Sequence, residues 1–179
     1  MIILASASPR RRELLKRICD FEVRPSDCDE ECDIKEPQAL VRELSKRKAA
    51  AVSGDVVIAA DTVVYHEGKI LGKPRDAKDA ALMLRSLSGK THEVYTGVSV
   101  KKDGAVRTFS ERSRVKFYDL EDALIDEYVA SGEPLDKAGA YGIQGKGCLL
   151  VESIEGDFFN VMGLPVARLY RVLLEMGAI

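Results

Sequence analysis

Tryptophan is absent, and histidine occurs only twice, as His66 and His92. The four cysteines are Cys19, Cys28, Cys32 and Cys148. They form no C-x-x-C pair and, with the two histidines, complete no zinc-ligand spacing. The thiols are therefore expected to be reduced, as in a cytoplasmic protein; the alternative is a Cys28–Cys32 disulfide. No apolar run approaches the ~20 residues of a membrane-spanning helix. The chain starts directly on strand-like Met1-Ile2-Ile3-Leu4, without the layout of a signal peptide. Neither sign of charge dominates. With 27 Lys and Arg against 29 Asp and Glu, the net charge of -2 is not the footprint of a protein that coats nucleic acid. Repeats, low-complexity tracts and linkers are missing as well. What remains is a 179-residue chain, 46% hydrophobic and 31% charged, long enough for a sizeable core. It is expected to form one domain over residues 1–179, with at most a second lobe.

The stretch around which the rest is organised is Leu4-Ala5-Ser6-Ala7-Ser8-Pro9-Arg10-Arg11-Arg12-Glu13-Leu14-Leu15. Residues 2–4 read as a short buried strand. Ser8-Pro9 reads as a helix start, because Ser is a preferred N-cap and Pro suits the first helical position. Leu14, Leu15 and Ile18 supply an apolar stripe. Three arginines then fall in the first turn, where the helix dipole disfavours cations unless an anion sits among them. A Ser-rich turn, exposed N–H groups and guanidinium groups together suit phosphate. The alternative is a solvated basic helix start.

Residues 21–24 alternate like a strand and lead into an acidic loop with Asp27, Asp29, Glu30, Glu31 and Asp33. Carboxylates so close together repel unless solvated or offset by a cation. Either the loop is plain surface, or Glu30 or a neighbour helps hold a divalent metal. Pro37 opens a helix predicted to reach about Val52, with Leu40, Val41, Leu44, Ala51 and Val52 on one face. Lys48 falls on that face, so it must snorkel to water or meet an anion.

Residues 55–65 are the most apolar strand, interrupted by Asp61-Thr62. An unpaired buried carboxylate costs several kcal/mol, so Asp61 needs a metal or a hydrogen-bond network. His66-Glu67-Gly68-Lys69 turns the chain, and Gly72-Lys73-Pro74 holds a cation between two backbone-restricting residues. Asp76 is predicted to cap a third helix with Ala80, Met83, Leu84 and Leu87 inward, and Gly89 to stop it. Two strands follow around an Asp103-Gly104 turn. Asp119 is predicted to cap a fourth helix, residues 148–153 to form a strand, and Pro165 to open a last helix. Between them lies Glu133-Pro134-Leu135-Asp136-Lys137-Ala138-Gly139-Ala140-Tyr141-Gly142-Ile143-Gln144-Gly145-Lys146-Gly147. Its glycines permit close approach of backbone to a ligand, and Gln144 can donate and accept at a base edge. The spacing is neither a Walker A loop nor a dinucleotide fingerprint. Strands and helices mix without strict βαβ alternation and with clear hairpins, which indicates an α/β protein with a mixed sheet.

Arg10, Arg11, Lys48 and Lys73 as cations, with Asp61 and the Glu30 region as acids, suit metal-assisted hydrolysis of a phosphoanhydride. The same residues carry a family resemblance. The stretch from Leu4 to Arg11, Lys48-Ala49, Ala60-Asp61-Thr62, Gly72-Lys73-Pro74 and the stretch from Glu133 to Gly145 resemble, in order, the Maf family of nucleoside triphosphate pyrophosphatases. The resemblance implies hydrolysis of a nucleoside triphosphate to monophosphate and pyrophosphate, with a divalent metal, Mg or Mn. It implies an elongated mixed β-sheet flanked by helices with a central cleft, similar to the inosine triphosphate pyrophosphatase fold and often dimeric. Asp61 matches the family's proton acceptor, though a role as metal ligand stays open beside it. Ser8, Arg11, Lys48 and Lys73 match phosphate positions. Glu30 matches the acidic metal position, with Asp29 and Glu31 as alternatives. Arg10, Thr62 and Gln144 stand where members differ in base choice, and they are similar to the branch acting on dTTP and UTP, with modified pyrimidine nucleotides as further candidates. The branch preferring methylated GTP typically has Trp in place of Arg10, and this chain has none. The expectation is a cytoplasmic house-cleaning dTTP/UTP pyrophosphatase whose partner is its nucleotide, with no nucleic acid polymer and no membrane. The alternatives are a broad pyrophosphatase for damaged purine nucleotides and a nucleotide-binding regulator of cell division, as the family's link with septum formation suggests.

Overall fold

The structure is a computed structural model that describes residues 1–179. Its strands are β1 (Ile2–Leu4), β2 (Glu22–Val23), β3 (Val56–His66), β4 (Lys69–Leu71), β5 (Thr91–Lys102), β6 (Ala105–Phe117) and β7 (Val151–Glu155). They form one seven-stranded sheet in the order β2-β1-β3-β5-β6-β7, with β4 paired to β3. β1 runs parallel to both β2 and β3, whereas the β3–β4 and β6–β7 pairs are antiparallel. The helices are α1 (Pro9–Leu15), α2 (Pro37–Ala50), α3 (Ala77–Leu87), α4 (Asp122–Ala130), α5 (Phe158–Met162) and α6 (Val166–Glu175). The α/β class and the mixed sheet are as the sequence indicates. None of the helices is long and apolar enough to cross a membrane, and all four cysteines are free thiols.

The chain divides into two compact units. One comprises Met1–Thr62, Tyr95–Glu111 and Phe159–Ile179; the other comprises Val63–Val94 and Arg112–Phe158. β3, β5 and β6 contribute residues to both.

In the first unit, Ile3, Ala5, Ala49, Val52, Val57 and Ala59 form a buried cluster that ties β1 and β3 to α2. α2 lies backbone to backbone on β5: a Cβ at Gly97 would sit 2.2 Å from the Val41 carbonyl oxygen. Two sequence expectations need correction here. α1 ends at Leu15, because Arg17 and Ile18 bond to carbonyls three residues back and tighten the chain out of the α-helix, which leaves Ile18 half-buried. α2 stops at Ala50, so Ala51 is exposed at its C-cap and Ala49 takes the buried position.

In the second unit, Asp76 caps α3 by accepting from Asp79 N, and Gly89 (φ 67°) ends that turn, both as expected. Ala81 is buried where Met83 was expected, and Met83 is half-buried. α4 begins at Asp122 with Glu121 as its N-cap, not at Asp119. Leu120 N donates to Ser88 Oγ and Gly89 N to the Tyr118 carbonyl, so residues 118–120 are tied to the end of α3 and cannot join the helix. The predicted strand at 148–153 starts only at Val151, because Lys146–Leu150 form a 3-10 turn.

A buried aromatic cluster anchors the glycine-rich stretch to this unit. His92 is 1% exposed, and its Nε2 shares a hydrogen with Tyr141 Oη at 2.7 Å. The rings of His92, Phe117 and Tyr141 meet edge to face. His92 Nδ1 is buried with no partner, so protonation would bury an unsatisfied N–H. Burial accordingly pushes the His92 pKa down to about 3, with His66 adding in the same direction. The ordinary value is 6.5. Below that pH the unfolded chain takes up a proton that the folded chain refuses. Stability is therefore fully present above the unfolded value and falls with pH, by up to about 1.4 kcal/mol per unit until His92 itself titrates. Urea unfolding at pH 7 and pH 5 checks this: the parent should lose about 2 kcal/mol more between the two than His92→Gln does.

Candidate active site

The central residue of the first unit's site is Asp61. β3 enters through Val56, Val57, Ile58, Ala59 and Ala60, each at most 5% exposed, and then presents Asp61, itself only 7% exposed. The partner that its burial requires is Lys48, whose Nζ lies 2.6 Å from Asp61 Oδ1. Lys48 stands one turn after Leu44 on the inner face of α2, with its side chain 11% exposed, so it meets an anion and does not snorkel out. The same Nζ lies 3.2 Å from Glu30 Oε2, which is mostly exposed. One ammonium thus bridges two carboxylates drawn from a core strand and an acidic loop. In the same loop Asp29 Oδ1 accepts from Glu31 N at 2.8 Å, and Arg47 donates to the Glu31 carbonyl.

The second part of this site is Arg11. Ser8 caps α1 as the sequence predicts, its Oγ accepting from Arg11 N. Of the three arginines in that turn, Arg11 points inward. Its Nε donates to the Gly163 carbonyl at 2.9 Å, Nη1 to Ser6 Oγ at 3.3 Å and Nη2 to Thr62 Oγ1 at 3.0 Å. All three acceptors are uncharged. Burial pushes the Arg11 pKa down from the ordinary guanidinium value; Asp61 opposes the shift, Arg10 adds to it and Glu30 opposes it. A cation held this way, short of counter-charge, is a common mark of a functional site.

Thr62 is already committed to the protein. Thr96 Oγ1 donates to the Asn160 carbonyl, so the hydrogen shared between Thr62 and Thr96 at 2.9 Å comes from Thr62. The oxygen of Thr62 is then left to accept from Arg11. Thr62 therefore orients Arg11 from the residue next to Asp61. Arg10 is half-buried in the first turn of α1. Lys73 and Gln144 are exposed residues of the second unit, Lys73 in the bend after β4 and Gln144 in the glycine-rich stretch.

Sequence reading missed Ser6, Thr96 and Gly163 as partners of the site. Ser6 carried a usable signal: a Ser two residues before a helix cap can bond the backbone there, and Ser6 Oγ accepts from Ser8 N. Thr96 and Gly163 had none, being brought in by tertiary contact. The glycines of 139–147 were expected to let a ligand approach the backbone. They also permit close approaches within the protein. A Cβ at Gly145, where φ is 93°, would meet the Glu133 carboxylate at 2.9 Å, and one at Gly147 would meet the Gly142 carbonyl oxygen at 2.1 Å and Tyr128 Oη at 2.7 Å.

No group of three or more His, Cys, Asp or Glu side chains is placed to hold a metal ion. The acidic donors available together are Glu30 and Asp61, with a cation already between them. Two carboxylates without a third fit Mg²⁺, which is commonly held by one or two carboxylates together with waters and substrate phosphates.

The chain has close relatives among known proteins. A dTTP/UTP pyrophosphatase of Thermosipho africanus is 54% identical over 180 residues, covering 99% of this chain and 94% of its own. One of Carboxydothermus hydrogenoformans is 54% identical over 183 residues, covering 98% of both chains. One of Bacillus mycoides is 51% identical over 184 residues, covering 99% and 96%. Among solved structures, the Staphylococcus aureus Ham1 protein aligns with 66% of this chain and 72% of its own at a TM-score of 0.49 and 18% identity. The model of Maf-like proteins matches residues 1–176, and with relatives half identical along nearly the whole length, this chain belongs to the Maf family.

Proposed function

We propose that the protein hydrolyses dTTP and UTP to the monophosphate and pyrophosphate, acting on the nucleotide pool of the cytoplasm. The observation that carries the reading is the buried Asp61, paired to Lys48 at 2.6 Å and flanked through Thr62 by an inward-turned Arg11 whose hydrogen bonds go to uncharged acceptors. Hydrolysis at the α-phosphorus needs a group to take the proton of the attacking water and cations to offset charge on the phosphates. Asp61 is the acceptor, with its carboxylate held in place by Lys48. Arg11, steadied by Gly163, Ser6 and Thr62, is a phosphate ligand that needs little reorganisation when the anion arrives. Ser8 and Lys48 serve the phosphates as well. The assignment of Lys73 to the phosphates, and of Arg10, Thr62 and Gln144 to base choice, rests on matching family motifs and on relatives named dTTP/UTP pyrophosphatase. Glu30 and Asp61 are the residues that would hold a divalent ion, Mg or Mn, which would neutralise phosphate charge. Lys48 between them makes the pair tolerable without it.

Pyrophosphate release from dTTP, UTP, CTP, GTP and ATP, with Mg²⁺, with Mn²⁺ and with chelator, tests the proposal. Release from dTTP and UTP, lost with chelator, is the expected result. Release from every base keeps the chemistry and removes the base choice. Binding without release from any of them replaces the enzyme by a regulator.

A further inference from the structure

Beyond Tyr141, the glycine-rich stretch is held by a carboxylate. Glu133 Oε1 accepts from Tyr128 Oη at 3.0 Å and from Gly147 N at 3.2 Å, and Glu133 Oε2 accepts from Lys146 N at 3.2 Å. Tyr128, 2% exposed on α4, extends the hold by accepting at its oxygen from Gly142 N at 3.1 Å. Backbone on both sides of Gln144 is therefore fastened: Gly142 two residues before it, Lys146 and Gly147 after it. A Cβ at Gly145 would meet the Glu133 carboxylate at 2.9 Å, and one at Gly147 the Gly142 carbonyl oxygen at 2.1 Å and Tyr128 Oη at 2.7 Å. At the other end, the Glu133 carbonyl accepts from Lys137 Nζ, which also pairs with Asp136. A carboxylate is chemically suited to this place, because it offers several acceptor sites and no donor to repel the amide hydrogens.

We infer that Glu133, together with Tyr128, is a positioning residue for base selection: it sets the backbone that presents Gln144. The inference rests on the reading of Gln144 as a base-contacting residue, and it adds residues that touch no substrate. A side chain that reads a base edge discriminates only when its amide is held in one place. Loosening the hold should therefore weaken discrimination more than it slows the chemistry, since Asp61 and Arg11 have their own supports.

The test measures kcat and KM of the full chain for dTTP and for CTP in the parent, Tyr128→Phe, Glu133→Gln and Gln144→Ala. Tyr128→Phe removes only the hydroxyl, and Glu133→Gln keeps the shape and one acceptor oxygen, so at least one of them is expected to fold. In both, the dTTP-over-CTP ratio of kcat/KM should fall roughly tenfold, mostly through KM for dTTP, with kcat within about threefold of the parent. Gln144→Ala should lower the ratio at least as far. A parental ratio in both Tyr128→Phe and Glu133→Gln, or an equal loss of kcat for both nucleotides, overturns the inference and leaves a purely structural clamp. If those two lower the ratio and Gln144→Ala does not, the clamp stands and the reading of Gln144 falls. If none of the three changes it, both fall.

Discussion

Asp61→Asn should cost roughly 10²–10⁴-fold in turnover of dTTP, the usual contribution of a positioned general base, and leave the protein folded. The amide keeps the size of the carboxylate and an oxygen that can accept from Lys48, but it cannot take a proton from water. The obvious objection is that a buried ion pair broken on one side strands the other charge, at about 3–5 kcal/mol. Lys48 escapes that cost because Glu30 Oε2 remains 3.2 Å from its Nζ. The melting temperature should accordingly move by no more than the ~2–4 °C that 1 kcal/mol produces in a chain of this size. Initial rates of pyrophosphate release and a thermal melt on the same preparation read both quantities. Turnover near the parental level would end the assignment of Asp61 as proton acceptor.

The second large effect is expected at Arg11. Arg11→Lys preserves the charge and removes the planar fork that reaches the Gly163 carbonyl, Ser6 Oγ and Thr62 Oγ1 together. A lysine ammonium is a point donor and cannot span the three. Two results should follow. kcat/KM for dTTP should fall by roughly 10²–10³-fold, the cost of losing one preorganised donor at developing charge. Stability should fall by about 1–3 kcal/mol for each inward acceptor left unpaired. Ligand protection separates the two: pyrophosphate should raise the melting temperature of the parent and not that of the variant, because only a ligand that binds the native state shifts it. A variant that keeps both turnover and pyrophosphate protection would show that the phosphates are held elsewhere.

Much of this site could be read along the chain because its parts are local. Ser8-Pro9 specifies the start of α1 by cap chemistry alone, and Asp61 stands out as one charge in an apolar strand. Lys48 could be found because a cation on the apolar face of a helix has few outcomes. The parts that were not legible depend on contacts remote in sequence. Nothing around Thr96 marks it as a partner of Thr62, or around Gly163 as a partner of Arg11, since the bonds form only when β5 lies beside β3 and the segment after α5 packs against the start of α1. The start of α4 failed for a similar reason: Asp119 has good capping chemistry, and Ser88 pre-empts the adjacent amide. β7 was placed too early because residues 146–150 close into a 3-10 turn, with Cys148 N bonded to the Gly145 carbonyl, which their apolar composition does not announce. α5 spans five residues, too few to show a helical period.

The crowding around Gly145 and Gly147 bears on how saturation mutagenesis of residues 139–147 should be interpreted. The space beyond the α-carbon is already filled by the Glu133 carboxylate at Gly145 and by the Gly142 carbonyl and Tyr128 at Gly147. Intolerance to substitution there would score as functional importance while reporting only lost folding. The informative positions in such a library are the exposed ones, Gln144 and Lys146, where a side chain can change without displacing its neighbours.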